Sequence, residues 1–325
     1  MRAKALIGVA ALGGSAATLF GMRRAYRRET KRSAAALETG SALVDTDFGA
    51  IEYGREGTGQ AALVSHGAGG GFDQGLFVGR ELLGSNHDII APSRFGYLRS
   101  GTPGEPLPSA QADAYAALLD HLHVDKAAVL GISAGAPSAI EMALRHPERV
   151  RALILVVPRA YAPGSEVAAP RTAPNEAILR MIEKGADFAY WLATRLARRS
   201  VLRFLGVPPE VDKAASPLER ARLDAIMRDI LPLSRRVDGI RNDGAITIGP
   251  WPLERIAAPT LLVSAEDDLF STLPAARFTA AHIPGAELMV LPSGGHLLVG
   301  RGEEIRARIA DFLRRSLDAP RRAAA

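Results

Sequence analysis

The pentapeptide Gly131-Ile132-Ser133-Ala134-Gly135 has the form G-x-S-x-G, with an apolar run at 126–130 before it and a helical pattern at 134–145 after it. A strand that passes straight into a helix here must make a sharp, strained turn, and small residues on both sides of the serine let the two backbones close up. The turn leaves the Ser133 hydroxyl exposed at a helix N-terminus, where the dipole and free N–H groups favour negative charge. A serine so placed is a candidate nucleophile. Glycine and serine are common, so the pentapeptide alone is weak; its position between strand and helix gives it force. The competing reading is a glycine-lined turn in which Ser133 merely caps the helix.

The same alternation runs along the chain. Short apolar runs at 61–65, 88–91, 126–130, 152–157, 260–264 and 287–291 predict buried strands, and apolar residues at helical spacing predict helices over 111–122, 134–145 and 303–317. Strands alternating with helices argue for a mostly parallel sheet covered on both faces. Between 158 and 256 the pattern changes. It becomes helical, rich in arginine and broken by proline, without a clear buried strand, which predicts a helical cap inserted over the C-terminal edge of the sheet. The expected domains are residues 1–40 as an N-terminal apolar and basic segment with a linker, 41–157 together with 257–318 as the α/β core, and 158–256 as the cap.

A serine hydroxyl needs a base that is neutral near physiological pH, so one of the seven histidines must serve. His296 follows the strand at 287–291 and the small residues Ser293-Gly294-Gly295, an open loop at a strand's C-terminal end, and is the candidate base. The acid that orients it is expected between nucleophile and base in chain order. Glu266, Asp267 and Asp268 crowd the loop after the strand at 260–264, so one faces His296 and the others are solvated; Asp268 is favoured over Asp267. The loop lacks the further ligands of a Ca²⁺ site. Gly67-Ala68-Gly69-Gly70-Gly71 follows another strand, and its glycines let backbone N–H groups approach a ligand; the amides of Ala68 and Ala134 are the candidate oxyanion hole. A dinucleotide fingerprint fails, because Phe72 stands where glycine would be required. His66 in this loop reads as a structural hydrogen-bonding residue. Tyr161, Tyr190, Trp191 and Trp251 are candidates for an acyl pocket, with ordinary core packing the equal alternative.

The chain has no cysteine, which removes disulfides, thiolate nucleophiles and Cys-based metal sites. Its net charge of +5 is unevenly spread. Residues 1–32 carry eight basic groups and one acid, a net of +7, so the remainder is at −2. No stripe of Lys and Arg interleaved with aromatics appears, so nucleic acid is not an expected partner. Residues 5–22 are apolar apart from Ser15 and Thr18 and are long enough to cross a bilayer as a helix. The basic run 23–32 would hold its side of such a span in the cytoplasm, and no A-x-A cleavage site follows. The expectation is a membrane-associated chain, contacting the bilayer through 5–32, with its folded part cytoplasmic. The alternatives are export by a signal peptide, or an interfacial or inert tail.

His66-Gly67, Ser93-Arg94-Phe95-Gly96-Tyr97, the Ser133 pentapeptide, Arg145-His146-Pro147-Glu148-Arg149-Val150, Asp268 and Gly295-His296 together resemble the α/β-hydrolase superfamily, of the serine esterase and lipase kind with a helical cap. They fall in that family's order over roughly residues 43–317. The resemblance implies an eight-stranded, mostly parallel sheet with helices on both faces, a catalytic Ser133, His296 and Asp268, no cofactor and no metal. It supports Asp268, since the family's acid usually sits three residues after a small residue, here Ala265. Ser133 speaks against the dehalogenase and epoxide-hydrolase branches, which use a carboxylate. The leading expectation is hydrolysis of a small-molecule carboxylic ester or acyl substrate through an acyl-serine intermediate. The alternatives are a C–C bond hydrolase, thioesterase or cofactor-free perhydrolase on the same three residues, or a ligand-binding protein without turnover.

Overall fold

The computed structural model describes residues 2–84, 86–165, 167 and 172–318, with side chains described from residue 20 to 316 within those ranges. In chain order the elements are α1 (Arg2–Thr39), β1 (Ala42–Thr46), β2 (Gly49–Glu56), β3 (Gln60–Ser65), α2 (Phe72–Leu83), β4 (His87–Pro92), α3 (Pro108–His121), β5 (Ala127–Ile132), α4 (Ala136–Arg145) and β6 (Val150–Val156). Then come α5 (Ala173–Glu183), α6 (Asp187–Leu196), α7 (Arg198–Phe204), α8 (Pro209–Ala214), α9 (Pro217–Asp229) and α10 (Val237–Ala245). The chain ends with β7 (Thr260–Ala265), α11 (Thr272–His282), β8 (Glu287–Leu291) and α12 (Gly302–Asp318).

Helix α1 is one compact unit, and the chain from Gly40 onward is the other. Most of the span expected at 5–22 lies outside the described side chains. Among the described residues no helix is long and apolar enough to cross a membrane.

The second unit is built on one eight-stranded sheet of order β1-β2-β4-β3-β5-β6-β7-β8. β1 pairs antiparallel with β2, and β2 with β4; every later pairing is parallel. The six expected strands are all present. The expectation missed β1, β2, α2 and α11. β3, β5, β6 and β7 are buried along most of their length by Ala, Val, Leu and Ile. Near-continuous apolar runs of this kind suit strands covered on both faces, and each fully buried Val, Leu or Ile contributes about 1.5–3 kcal/mol. α3 packs with α4, α12 with α2, and α11 against β7 and β8.

Parallel strands all end on one edge, so loops from distant parts of the sequence meet there. The Gly-rich loop follows β3, Ser133 follows β5, and the acidic and histidine loops follow β7 and β8. Helices α5 to α10 form the insertion between β6 and β7. α5 and α9 start on side-chain caps, with Thr172 accepting the Asn175 N–H and Ser216 the Glu219 N–H.

Candidate active site

Strand β5 runs to Ile132, two residues further than its apolar run suggests, and a 3₁₀ turn at Ser133–Gly135 precedes α4. Ser133 sits at φ 49°, in the left-handed region that costs a non-glycine residue about 1–3 kcal/mol. The flanking glycines have steric causes. A Cβ on Gly131 would lie 2.6 Å from Ala139 Cβ, and one on Gly135 would lie 2.2 Å from the Ser65 carbonyl oxygen. Only small residues allow the turn to nest between α4 and β3. The Arg159 N–H donates to the Ser133 carbonyl at 3.0 Å and ties the turn to the segment after β6.

His296 Nε2 lies 2.9 Å from Ser133 Oγ, and its Nδ1 lies 2.9 Å from Asp268 Oδ2. Asp268 is buried, and its carboxylate also accepts the Thr272 hydroxyl and the Phe270 N–H. Burial opposes its ionisation, but the His296 charge and these hydrogen bonds outweigh that and hold its carboxyl below the usual range. An ionised Asp268 can only accept, so the imidazole proton sits on Nδ1 and Nε2 is left to accept from the Ser133 O–H.

Asp267 faces elsewhere. Its two oxygens accept the N–H groups of Gly295 at 2.8 Å and Gly294 at 3.2 Å. One acid of the loop thus meets the imidazole and its neighbour holds the backbone that carries the imidazole. The sequence expectation that the remaining acids are merely solvated does not hold for Asp267. The base is also seated from the insertion. The Gly206 carbonyl accepts the His296 N–H at 3.0 Å, and a Cβ on Gly206, at φ +81°, would lie 2.4 Å from His296 Cβ. Phe270 stands edge-on to the ring at 4.4 Å.

The Gly-rich loop abuts Ser133, since a Cβ on Gly67 would lie 3.6 Å from Ser133 Cβ. Most of its amides have partners. Gly67 N–H donates to Gln74 Oε1, Gly69 N–H to Tyr97 Oη and Gly70 N–H to the Gly67 carbonyl. Among the described residues, neither the Ala68 nor the Ala134 amide donates in a turn, loop or cap hydrogen bond. His66 is fully buried and structural, as its place in the turn suggests. Its Nε2 accepts the Arg94 N–H, so its Nδ1–H donates to the Gly67 carbonyl at 2.7 Å. Burial, then the charge of Arg94, pushes its pKa well below the usual imidazole range and keeps the ring neutral.

A buried polar network, whose partners the sequence alone does not pair, fastens the insertion above this loop. Arg94 donates to both oxygens of Asp243 on α10, at 2.5 and 2.7 Å, and to the His66 carbonyl at 2.9 Å. Tyr97 Oη donates to Asp243 at 2.6 Å. Arg236, also fully buried, donates to the Gly70 carbonyl and to Asp73. The only signal in the sequence was Arg94 in its motif; nothing marked Asp243, 149 positions away, as its partner.

The aromatic candidates for an acyl pocket are engaged in packing. Tyr161 meets Phe278, Trp191 stacks on Phe188 under Arg195, and Tyr190 is fully buried. Trp251 donates to Glu141, two turns along α4 from Ser133, and so lies away from the site. Ile230, close against Gly69, and Phe270 are nearer walls. Among the described residues no cluster of His, Asp and Glu is arranged to hold a metal ion.

Residues 63–302 match the family described as the alpha/beta hydrolase fold. An uncharacterized hydrolase of Bacillus subtilis strain 168, YcgS, is 28% identical over 276 residues, covering 78% of this chain and 90% of that protein. A 2-hydroxy-6-oxo-6-phenylhexa-2,4-dienoate hydrolase of Burkholderia cepacia is 26% identical over 255 residues, covering 76% of this chain and 84% of that protein. Among solved structures, an alpha/beta hydrolase fold protein from Nakamurella multipartita superposes with a TM-score of 0.63 at 29% identity, over 84% of this chain and 99% of that one.

Proposed function

The chain belongs to the alpha/beta hydrolase family, and we propose that within it the chain is a serine hydrolase of carboxylic esters, with Ser133 as nucleophile, His296 as general base and Asp268 as the acid that orients the imidazole. One observation carries this reading: a hydroxyl, an imidazole and a buried carboxylate in line, each gap 2.9 Å.

The chemistry follows from that line. As Ser133 Oγ bonds to the acyl carbon, its proton passes to His296 Nε2 and the carbonyl electron pair moves onto oxygen. Asp268 stabilises the resulting imidazolium without taking its proton. The Ala68 and Ala134 amides are assigned to the oxyanion, where one such donor is worth about 3–4 kcal/mol. The carbonyl reforms, the ester C–O bond breaks, and the alcohol leaves with the His296 proton. Water then gives a proton to His296, attacks the acyl-serine, and releases the acid as Ser133 recovers its hydrogen.

A series of p-nitrophenyl esters of increasing acyl length tests this. The expected result is saturable turnover with a preferred chain length. A second reading, C–C bond hydrolysis, is favoured by the Burkholderia relative. Cleavage of a 2-hydroxy-6-oxodienoate with no turnover of any ester would replace the first reading by the second. Binding of esters without turnover would support neither. The tether assigned to residues 5–22 rests on sequence alone; it requires that detergent, and not high salt, release the protein from membranes.

A further inference from the structure

The insertion carries a second concentration of chemistry, away from Ser133. Residues 188–209 contain no acidic side chain and hold Arg195, Arg198, Arg199 and Arg203. The chain beyond residue 32 is net negative, so this run stands against the charge of its own domain. The end of α6 and the start of α7 meet α8 and the start of α9 around an open groove of about 710 Å³. Arg195, Arg198, Arg199, Lys213 and Arg220 line it. Its one acid, Asp212, is already paired with Arg198 at 2.6 Å. Arg199 and Lys213 are exposed to solvent.

Two leucines accompany these cations. Leu196 lines the groove and is 73% exposed; Leu218, two residues before Arg220, is 80% exposed. An isolated exposed leucine needs no explanation. One of them in the wall of the cationic groove and the other exposed at the start of the helix that carries Arg220 match a particular environment, where basic side chains meet anionic headgroups and apolar ones enter the acyl boundary. A soluble phosphate compound would use the arginines and leave the leucines in water, and a polynucleotide would be better served by exposed aromatic rings.

We propose that this groove is a docking surface for an anionic lipid bilayer, with Arg199, Lys213 and Arg220 over the headgroups and Leu196 and Leu218 inserted below them. The proposal does not depend on the ester-hydrolase reading or on residues 5–22.

The absence of native cysteine makes the test direct. In the full chain, Leu196→Cys, Leu218→Cys and Glu148→Cys are each labelled with a polarity-sensitive nitrobenzoxadiazole dye. Glu148 is exposed and precedes β6, at the sheet edge opposite the insertion. Vesicles are phosphatidylcholine alone, or phosphatidylcholine with about a third phosphatidylglycerol. The expected result is a blue shift at 196 and 218 on anionic vesicles only. It should reverse in about 0.5 M NaCl and not occur at 148. Adding Arg199→Glu and Lys213→Glu should raise the lipid needed for half the shift at least about tenfold, with an unchanged melting midpoint showing that the variant folds. Should that variant melt early, the salt reversal in the unaltered groove decides. The proposal is overturned by equal shifts on neutral vesicles, as bilayer contact driven by another segment would give. It is also overturned by no shift on anionic vesicles, or by a shift with inorganic polyphosphate or an oligonucleotide in the absence of vesicles.

Discussion

Strands β3, β5, β6 and β7 bury apolar side chains along nearly their whole length, whereas the insertion is fastened to the loops at the sheet's edge by buried charge as well as by packing: Arg94 with Asp243, and Arg236 with Asp73 and the Gly70 carbonyl. The first kind of cohesion is non-directional and tolerates changes that keep volume. The second depends on each partner, because a charge left alone in the interior is far more costly than the pair is favourable. Ser133, Asp268 and His296 stand on loops of the sheet, while the insertion clamps the His296 backbone and the Gly-rich loop. An apolar scaffold sets where these three side chains lie, and a polar clasp holds the insertion against their loops.

The largest expected effect separates the two roles. Asp268→Asn should lower kcat by about 10⁴-fold with little change in melting, because the Asn amide no longer holds the imidazole in the required tautomer. Ester turnover beside calorimetry measures both. Next in size, Asp243→Ala leaves the Arg94 guanidinium buried without its carboxylate, and stability should fall by about 3–5 kcal/mol in denaturant titration. Replacing both, as Arg94→Met with Asp243→Leu, should recover most of that loss. If the single variant is as stable as wild type, the insertion is not held by this pair.

Asp267→Ala is expected to cost roughly tenfold in kcat, since Asp267 acts by holding the amides of Gly294 and Gly295. Asp267→Asn, which keeps an acceptor oxygen, should recover part of it, and KM should hardly move. The smallest effect belongs to a polar tie on the sheet side. Hydrogen bonds from Arg315, joined by those from Arg308, hold the Glu287 carboxyl at about 2, against an ordinary value of 4.5. A depressed carboxyl stabilises the fold fully above its unfolded value, and that contribution is lost as pH falls from about 4.5 toward 2. Glu287 is about 30% exposed and screened by water, so Glu287→Gln should cost only about 1 kcal/mol at neutral pH. The gap in melting midpoint from wild type should close through that acidic window.

The same contrast governs what was legible in the sequence. The parallel strands, the Ser133 turn and the His296 loop are marked by apolar runs and by glycine at sterically demanding places, which are local signals. β1 and β2 escaped notice because β1 is mostly exposed and β2 carries a buried Glu52, which accepts from Ser41, Ser93 and Arg99 and breaks the apolar pattern. α2 is masked by Gly75 and Gly79, poor helix formers. A Cβ on either would lie 2.7 Å from Ala91 or Ile89 of β4. Which acid of the 266–268 loop faces His296, and which arginine meets which aspartate, are matters of geometry between distant segments. Composition and spacing carry no record of them.

The proposed role of Ser133 is tested most directly by reaction of the full chain with a fluorophosphonate, followed by mass mapping of the adduct. A single phosphonylated residue is predicted, Ser133, with labelling abolished in Ser133→Ala and strongly slowed in His296→Ala. Equal labelling of wild type and Ser133→Ala, or an adduct on another side chain, would contradict the account.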